Sequence, residues 1–220
     1  MNIACISYRD WALKIYSKLE SNTSKNHNFL IFRNKDEFDS KKLIDFQPDL
    51  ILWYGWSWIV DNIFVDKYTS IMLHPSPLPK YRGGSPIQNQ IVNGEKKSAV
   101  TLFKMTRNLD DGDIYIQLPF TLEGSLEDIF ERIIELGYKA TIDIINNNYN
   151  LKKQNDSEAT YYKRLLPSNS EITIDEIKNS SAEYLHNKIR MLNDPYPNAY
   201  LMTSDNKKLF LIQSRLENEK

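Results

Sequence analysis

The sequence predicts an α/β fold with a mostly parallel sheet, and the first half of the chain carries the observations behind this prediction. Three short apolar runs lie at residues 3–7, 29–32 and 50–54. Apart from Ser7 at the end of the first run, they are apolar throughout rather than alternating, which is typical of parallel strands covered on both faces. The first two are each followed by a segment with helical spacing. A strand that leads into a helix is the repeating unit of Rossmann-like folds.

The first half is therefore expected to alternate strands and helices. A fourth strand is predicted at residues 70–73, and helices are predicted at residues 10–19, 41–46 and 87–92. Between the fourth strand and the last of these helices, the segment HPSPLPKYRGGSP contains four prolines and two glycines. This composition predicts a long, shaped loop.

The second half continues with strands at residues 99–105 and 114–120, separated by the turn TRNLDDGD. A long helix follows, with Ser125 as N-cap and Asp128 completing a capping box. Residues 146–156 are polar enough to form a linker. Beyond them we expect short strands at residues 161–166 and 171–174, a helix at 182–192, and a hairpin of residues 199–202 and 209–212. These boundaries predict a catalytic domain at residues 1–150 and a small C-terminal extension at residues 151–220, packed on the first domain or on another subunit.

Composition limits the chemistry that is available. Lys and Arg number 28 against 29 Asp and Glu, so no global positive field attracts nucleic acid or anionic lipid. The sequence has one cysteine, Cys5, which excludes a disulfide framework. Together with only three histidines it also excludes nearly every zinc site, and we expect no metal. No apolar run reaches the roughly 18 residues of a membrane span, which predicts a cytoplasmic protein with no membrane partner.

His74 is the histidine best placed for catalysis. It follows a predicted parallel strand, at the edge where open α/β sheets bind ligands, and the proline-rich loop would hold its ring rigidly. The turn LDDGDI offers the carboxylates Asp110, Asp111 and Asp113. If this turn also lies at the carboxyl edge, one carboxylate can orient the imidazole. A packed or capping histidine and a solvated acidic turn are the structural alternatives.

These residues resemble a known family. LHPSPLPKYRGGSPIQ followed by LDDGDI is similar to the signature of formyltransferases that use 10-formyltetrahydrofolate, and LHNKIRMLNDPYPNAY is similar to the segment after their catalytic domain. The resemblance implies a Rossmann-like formyltransferase fold and the cosubstrate 10-formyltetrahydrofolate. It puts His74 at the position of the family histidine and Asp110 at that of the family aspartate.

The third catalytic position of the family is an asparagine two residues before the histidine, and here it is Met72. The asparagine amide is expected to stabilise the oxyanion, and loss of such a donor typically lowers the rate roughly 100- to 1,000-fold. Protonated His74, a backbone N–H or the amide of Asn108 are candidate replacements.

The resemblance also implies two binding regions. By this match Trp58, Ile59 and Val60 contact the folate. Residues 105–110, which include Thr106 and Asp110, close the other side of the folate pocket. Core packing is the alternative role for the tryptophans. We expect the amine substrate to bind to cations and to neighbouring residues of the proline-rich loop. Plain surface exposure is the alternative role for the cations. The expected contacts are Arg9, Pro75, Ser76, Lys80, Tyr81, Arg82 and Gly83.

The acceptor is inferred by comparison within the family. The related tRNA enzymes carry a complete C-terminal barrel and a basic surface, and the purine-pathway enzyme has a glycine-rich turn where this chain has SYRDW. The motifs look most like those of sugar N-formyltransferases, which act on nucleotide-linked amino sugars of surface glycans such as lipopolysaccharide O-antigen. A UDP-linked intermediate of the pseudaminic acid type and a dTDP-linked 3-amino or 4-amino sugar both remain open. By resemblance the protein is a homodimer, with residues 200–212 as the contact.

Two other functions are compatible with these residues. Related enzymes hydrolyse formyltetrahydrofolate, so release of tetrahydrofolate without an amine would indicate a hydrolase. Met72 instead of asparagine is also compatible with a weakly active or noncatalytic module that binds a nucleotide sugar.

Overall fold

The computed structural model describes residues 1–217 and contains alternating strands and helices in its first half. In chain order the elements are β1 (Asn2–Ile6), α1 (Asp10–Thr23), β2 (Asn28–Phe32), α2 (Ser40–Asp45), β3 (Leu50–Leu52), α3 (Asn62–Asp66), β4 (Ser70–His74), β5 (Arg82–Gly83), α4 (Pro86–Val92), β6 (Lys97–Lys104), β7 (Ile114–Thr121), α5 (Leu126–Ile145), β8 (Tyr161–Tyr162), α6 (Ile174–Asn179), α7 (Ala182–Met191), β9 (Tyr200–Met202) and β10 (Lys208–Phe210). Two 3₁₀ turns, Asp156–Glu158 and Pro167–Ser170, lie in the C-terminal part.

The central sheet has six strands in the order β2-β1-β3-β4-β6-β7. The first four strands along the chain pair in parallel, which confirms the predicted α/β fold with a mostly parallel sheet. β6 pairs antiparallel with β4, and β7 pairs antiparallel with β6. The six strands predicted between residues 3 and 120 all form, and each ends within a few residues of the predicted position.

Helices cover both faces of the sheet, as the continuously apolar strands predict. α1 and α5 pack together on one face, where Gly137 lets α5 approach closely: a Cβ there would lie 2.7 Å from Ile15 and 2.8 Å from Leu73. α5 begins at the predicted capping box of Ser125 and Asp128. On the other face, Leu43 of α2 and Phe64 of α3 pack against Trp53.

The C-terminal part packs on the main core. Ile172, Met191, Leu192 and Ala199 belong to the same buried cluster as the strands and α5. The hairpin forms from β9 and β10. Within residues 1–217, no helix is both long and apolar enough to cross a bilayer.

Three local predictions in this part were wrong. Residues 171–174 are not a strand, because Thr173 caps α6 in a capping box with Glu176. The strand predicted at 161–166 is limited to the two residues of β8. The segment 146–156 is not a free linker, because Lys152 pairs with Ile114 at the start of β7.

Candidate active site

His74 is the last residue of β4 and is 6% exposed, with its two ring nitrogens facing different groups. Nε2 lies 2.7 Å from the carbonyl oxygen of Tyr81. A carbonyl only accepts hydrogen bonds, so Nε2 carries the hydrogen and the neutral ring keeps a lone pair on Nδ1. Nδ1 faces Asp110, whose Oδ2 is 3.8 Å away.

Asp110 reaches His74 by an unexpected route. Because β6 runs antiparallel to β4, Lys104 at its end pairs with Ile71, near the start of β4 rather than at its carboxyl end. The chain then turns back against itself at Gly112, where a Cβ would lie 1.7 Å from the Lys104 carbonyl oxygen. The acidic turn therefore begins away from the carboxyl edge of the parallel strands, which was the expected condition for its contact with His74, and the chain still brings Asp110 to the imidazole.

The carboxylate of Asp110 is fixed in place by other contacts. Its Oδ2 accepts a hydrogen bond of 2.8 Å from the backbone N–H of Gly83. Asp110 itself has a φ of +52°, a left-handed conformation that is unfavourable for residues other than glycine, asparagine and aspartate. Tyr81 and Ser85 in the facing loop also have left-handed φ angles, of +62° and +50°. The backbone of Tyr81 and Ser85 is therefore strained, and such strain collects at functional sites, where the surrounding structure holds it.

A segment that sequence reasoning missed supports both loops. Nε2 of Gln154 donates to the carbonyl oxygens of Asp110 at 2.9 Å and Gly112 at 2.7 Å. Thr160 binds the facing loop, since its hydroxyl accepts from the N–H of Tyr81 at 2.8 Å. β8 then pairs with β5. The paired glycines at 83 and 84 were the available signal, because they show that another backbone approaches here.

Arg82 and Gly83, both predicted to contact substrate, have internal partners. Arg82 is 1% exposed, and its guanidinium donates to Gln154, Asp156 and Tyr161. A Cβ on Gly83 would lie 2.4 Å from the carbonyl oxygen of Tyr162. Their contacts favour a role in holding the loop together.

The other predicted acceptor contacts lie around the same loop. Pro75 and Ser76 are buried, and the Ser76 hydroxyl donates to the Lys80 carbonyl at 2.8 Å. The Lys80 side chain is exposed. Tyr81 is 5% exposed and donates its hydroxyl to Glu95 at 2.9 Å. Burial raises the pKa of Tyr81 to about 12, and Glu95 adds to this shift, so its hydroxyl stays protonated.

Met72 lies on the same face of β4 as His74, because side chains two residues apart in a strand share a face. It packs beside Leu78, Phe103 and Ile114. A thioether donates no hydrogen bond. The backbone N–H groups of the loop do not replace the family amide, because each one from Ser76 to Gly84 that is not a proline already donates to a protein acceptor. His74, Asn108 and the main chain of the acidic turn are the remaining candidate donors, and one amide hydrogen of Asn108 is taken by Asp111 at 2.7 Å.

The predicted folate residues follow β3. Trp58 is 38% exposed and Ile59 is fully exposed, whereas Val60 packs on the core. The Trp58 ring contacts Tyr8 and Trp56, with centroids 4.8 Å and 4.7 Å away. Within residues 1–217, no hydrogen bond uses the main-chain groups of residues 57–60. In the acidic turn, the hydroxyl of Thr106 donates to Asp111.

Arg9 lies after the carboxyl end of β1, at the N-cap position of α1, and its side chain makes no capping hydrogen bond. Its guanidinium lies over the ring of Tyr8, 4.6 Å from the centroid, and 5.5 Å from that of Tyr196. In the part of the chain that the structure describes, no three His, Cys, Asp or Glu side chains converge as metal ligands.

Comparison with known proteins identifies a family. The sequence profile of the family described as formyl transferase matches residues 16–145. A methionyl-tRNA formyltransferase from Ehrlichia canis is 30% identical over 174 residues, which is 76% of this chain and 54% of the relative. A methionyl-tRNA formyltransferase from Clostridium thermocellum superposes with a TM-score of 0.84 at 32% identity, over 93% of this chain and 88% of that one.

More distant structures share the fold alone. A 4-N formyltransferase from Francisella tularensis has a TM-score of 0.77 at 22% identity, over 99% of this chain and 98% of that one. HypX from Aquifex aeolicus, in complex with tetrahydrofolic acid, has a TM-score of 0.79 at 18% identity, over 94% of this chain and 36% of that one. The chain spans about half the length of the curated relatives it matches.

Proposed function

The chain belongs to the formyl transferase family, and on that basis we propose that it transfers the formyl group of 10-formyltetrahydrofolate to a primary amine of a nucleotide-linked amino sugar. The observation that carries the proposal is the pairing of buried His74 with partly buried Asp110, which is held by Gly83 and Gln154. The strained loops around this pair support a catalytic role.

His74 accepts a proton from the attacking amine through Nδ1. Its Nε2–H is held by the Tyr81 carbonyl, so only Nδ1 has a free lone pair. After it takes the proton, Nδ1 lies beside the Asp110 carboxylate, which stabilises the imidazolium. The amine loses one proton and the departing tetrahydrofolate nitrogen gains one, so the imidazole returns to its neutral form after one cycle.

The folate would bind against residues 58–60. When bound, 10-formyltetrahydrofolate supplies the formyl group as an acyl donor. The free main-chain groups of residues 57–60 and the exposed aromatic face of Trp58 fit a flat heterocycle with several donors and acceptors. The same segment lies at the carboxyl edge of the sheet, where α/β folds bind ligands.

The charge of the protein supports a small acceptor. The formal net charge is −1, and a protein that binds tRNA needs many phosphate contacts from Lys and Arg. The likeness to a sugar N-formyltransferase from Shewanella along nearly the whole of both chains also supports a sugar acceptor. We expect either a UDP-linked pseudaminic-type intermediate or a dTDP-linked amino sugar.

Methionyl-tRNA is the second candidate acceptor. It is favoured by one observation, the 32% identity to the Clostridium thermocellum enzyme over most of both chains.

The acceptor is tested by incubating the protein with 10-formyltetrahydrofolate and one acceptor at a time. We expect tetrahydrofolate release and a formylated product, read by mass spectrometry, with a UDP- or dTDP-linked amino sugar. Product with methionyl-tRNA alone would establish the second candidate, and tetrahydrofolate release with no acceptor would indicate a hydrolase.

The proposal includes a homodimer formed through the hairpin. Leu209, Phe210 and Ile212 are each more than half exposed on β10 and the residues after it, and two strands alone are marginally stable in water. Analytical ultracentrifugation is expected to give twice the chain mass.

A further inference from the structure

Arg164 extends from the C-terminal segment to the loop after β3. Its Nη2 donates to the Ser57 hydroxyl at 2.8 Å. The same hydroxyl lies 2.5 Å from that of Tyr8, and the Arg9 guanidinium lies 4.6 Å from the centroid of the Tyr8 ring. Two guanidinium groups from distant parts of the chain therefore flank one pair of hydroxyl side chains.

Neither guanidinium is neutralised within residues 1–217. Arg82, Arg107 and Arg215 each pair with a carboxylate, whereas Arg9 and Arg164 do not. Two such cations near each other repel, and an anionic ligand between them removes the repulsion. The arrangement fits an anion with several oxygens, because each guanidinium presents a planar fork of donors that matches phosphate.

The backbone positions Arg164. A Cβ on Gly84 would lie 2.4 Å from the backbone nitrogen of Arg164, so the two chains are in direct contact. The N–H of Leu165 also donates to the Ser85 hydroxyl at 3.1 Å. The backbone that carries the side chain is thus anchored to the loop that follows His74.

The sheet order relates this cluster to His74. Arg9 follows β1 and Ser57 follows β3, and β3 lies between β1 and β4. Neighbouring strands are about 4.8 Å apart, which puts the ends of β1 and β4 about 10 Å from each other. A sugar ring attached to a phosphate bridges a gap of this size.

We propose that Arg164 and Arg9, with the hydroxyls of Tyr8 and Ser57 between them, bind the diphosphate of the acceptor. The inference rests on the proposed function, since it assumes a nucleotide-linked substrate. Arg164 is a specificity-determining residue in this account. It holds the diphosphate beyond β1 and β3 and leaves the amine of the sugar at His74.

The test measures binding of inorganic pyrophosphate and of UDP by isothermal titration calorimetry, without folate or amine. We expect Arg164→Gln and Arg9→Gln each to raise the Kd for both ligands roughly 10-fold or more, because each loses a charged hydrogen bond.

Lys163→Gln is the matched control. It removes the same charge one residue away and is expected to leave the Kd unchanged. Thermal unfolding confirms that each variant is folded, and Arg164→Lys, which keeps the charge but loses the fork, is expected to bind with intermediate affinity.

Unchanged affinity in both arginine variants would overturn the inference, and so would an absence of pyrophosphate and UDP binding by the wild type. An equal loss in Lys163→Gln would also overturn it, because it would show a diffuse effect of charge. If Arg164→Gln loses binding but the wild type formylates no amino sugar, the diphosphate site stands and the proposed function fails. If the wild type formylates the sugar and Arg164→Gln has the same KM, only the diphosphate site fails.

Discussion

The two ring nitrogens of His74 have separate tasks. The Tyr81 carbonyl holds the hydrogen on Nε2, and Asp110 faces Nδ1. Tyr81 can present its carbonyl in this way because its φ of +62° turns the loop back toward β4. The strained backbone of Tyr81 therefore fixes the tautomer of His74.

The charge of Asp110 is tested by Asp110→Asn. Asparagine tolerates the left-handed φ of +52° and can still accept the N–H of Gly83, so the fold is expected to persist. Loss of the carboxylate beside Nδ1 is expected to lower kcat about 100-fold or more. Asp113→Asn, in the same turn but outside the pair, is the control and is expected to keep the wild-type rate. A wild-type kcat in Asp110→Asn would contradict a catalytic role for the carboxylate.

Met72→Asn restores the amide of the family position. The new donor lies on the same face of β4 as His74, and we expect kcat to rise roughly 10-fold or more, since oxyanion donors contribute at least this much. The partly buried amide is expected to cost about 1–3 kcal/mol of unfolding free energy, measured by urea titration. Met72→Leu keeps the volume without a donor and is expected to leave kcat unchanged. An unchanged kcat in folded Met72→Asn would show that the missing amide does not limit the reaction.

At the scale of elements, the short pairing of β5 with β8 joins the His74 loop to the C-terminal segment. It depends on two glycines, because the backbones of Tyr162 and Arg164 occupy the space of their side chains.

Gly84→Ala is expected to disrupt this pairing. The methyl group would lie 2.4 Å from the Arg164 nitrogen, so one backbone must move. We expect faster amide exchange at residues 82–84 and 160–164, measured by hydrogen–deuterium exchange, and weaker catalysis. Gly94→Ala is the control, because no atom lies within 4 Å of the added Cβ. Its φ of +79° is expected to lower the unfolding free energy by about 1 kcal/mol without changing amide exchange at the loop. Unchanged exchange in Gly84→Ala would contradict the close packing.

An ion pair attaches α6 to α7. Lys188 is 7% exposed and donates to both carboxylate oxygens of Glu176, at 2.7 and 2.8 Å. Burial alone would raise the pKa of Glu176, but hydrogen bonds from Lys188 and Tyr184 outweigh it and hold the pKa below its ordinary value of 4.5. A lowered pKa stabilises the fold above the unfolded value, and this stability is lost as the pH falls through the folded value.

Glu176→Gln is therefore expected to lower the unfolding free energy at neutral pH by about 3 kcal/mol, because buried Lys188 keeps its hydrogen bond to the Glu171 carbonyl but loses its counter-charge. The difference from the wild type is expected to shrink as the pH falls from 4.5 through the lowered pKa of the folded Glu176 carboxylate, because the wild-type side chain is then protonated as well. Glu183→Gln, an exposed change on α7, is the control. Urea titrations at several pH values measure the unfolding free energies of the wild type and the variants. A difference between wild type and Glu176→Gln that does not change with pH would contradict the ion pair.

For the whole molecule, the sequence predicts the sheet and the meeting of His74 with Asp110 better than the assembly of the segments around them. Apolar strands and the capping box at Ser125 are local signals, and the structure follows them. Gln154 and Arg164 were missed because polar residues in an irregular segment have no periodicity, and only tertiary contact gives them a role. The antiparallel course of β6 was missed for the same reason, since strand direction depends on distant partners.

The site thus combines segments from the whole chain, from Arg9 to Arg164, around one continuous core. The predicted boundary at residue 150 separates Asp110 from Gln154, which holds its turn. We therefore expect residues 1–165 at least to be needed for an ordered site.

In the proposed reaction, His74 accepts the amine proton during formyl transfer to a nucleotide-linked amino sugar. The most direct test is the rate of formylated product, by mass spectrometry, for the wild type and for folded His74→Gln with the same acceptor. We expect the wild type to turn over and the variant to fall about 100-fold or more, because the glutamine side chain can still reach toward Tyr81 but cannot accept the proton. A wild-type rate in His74→Gln would contradict the account.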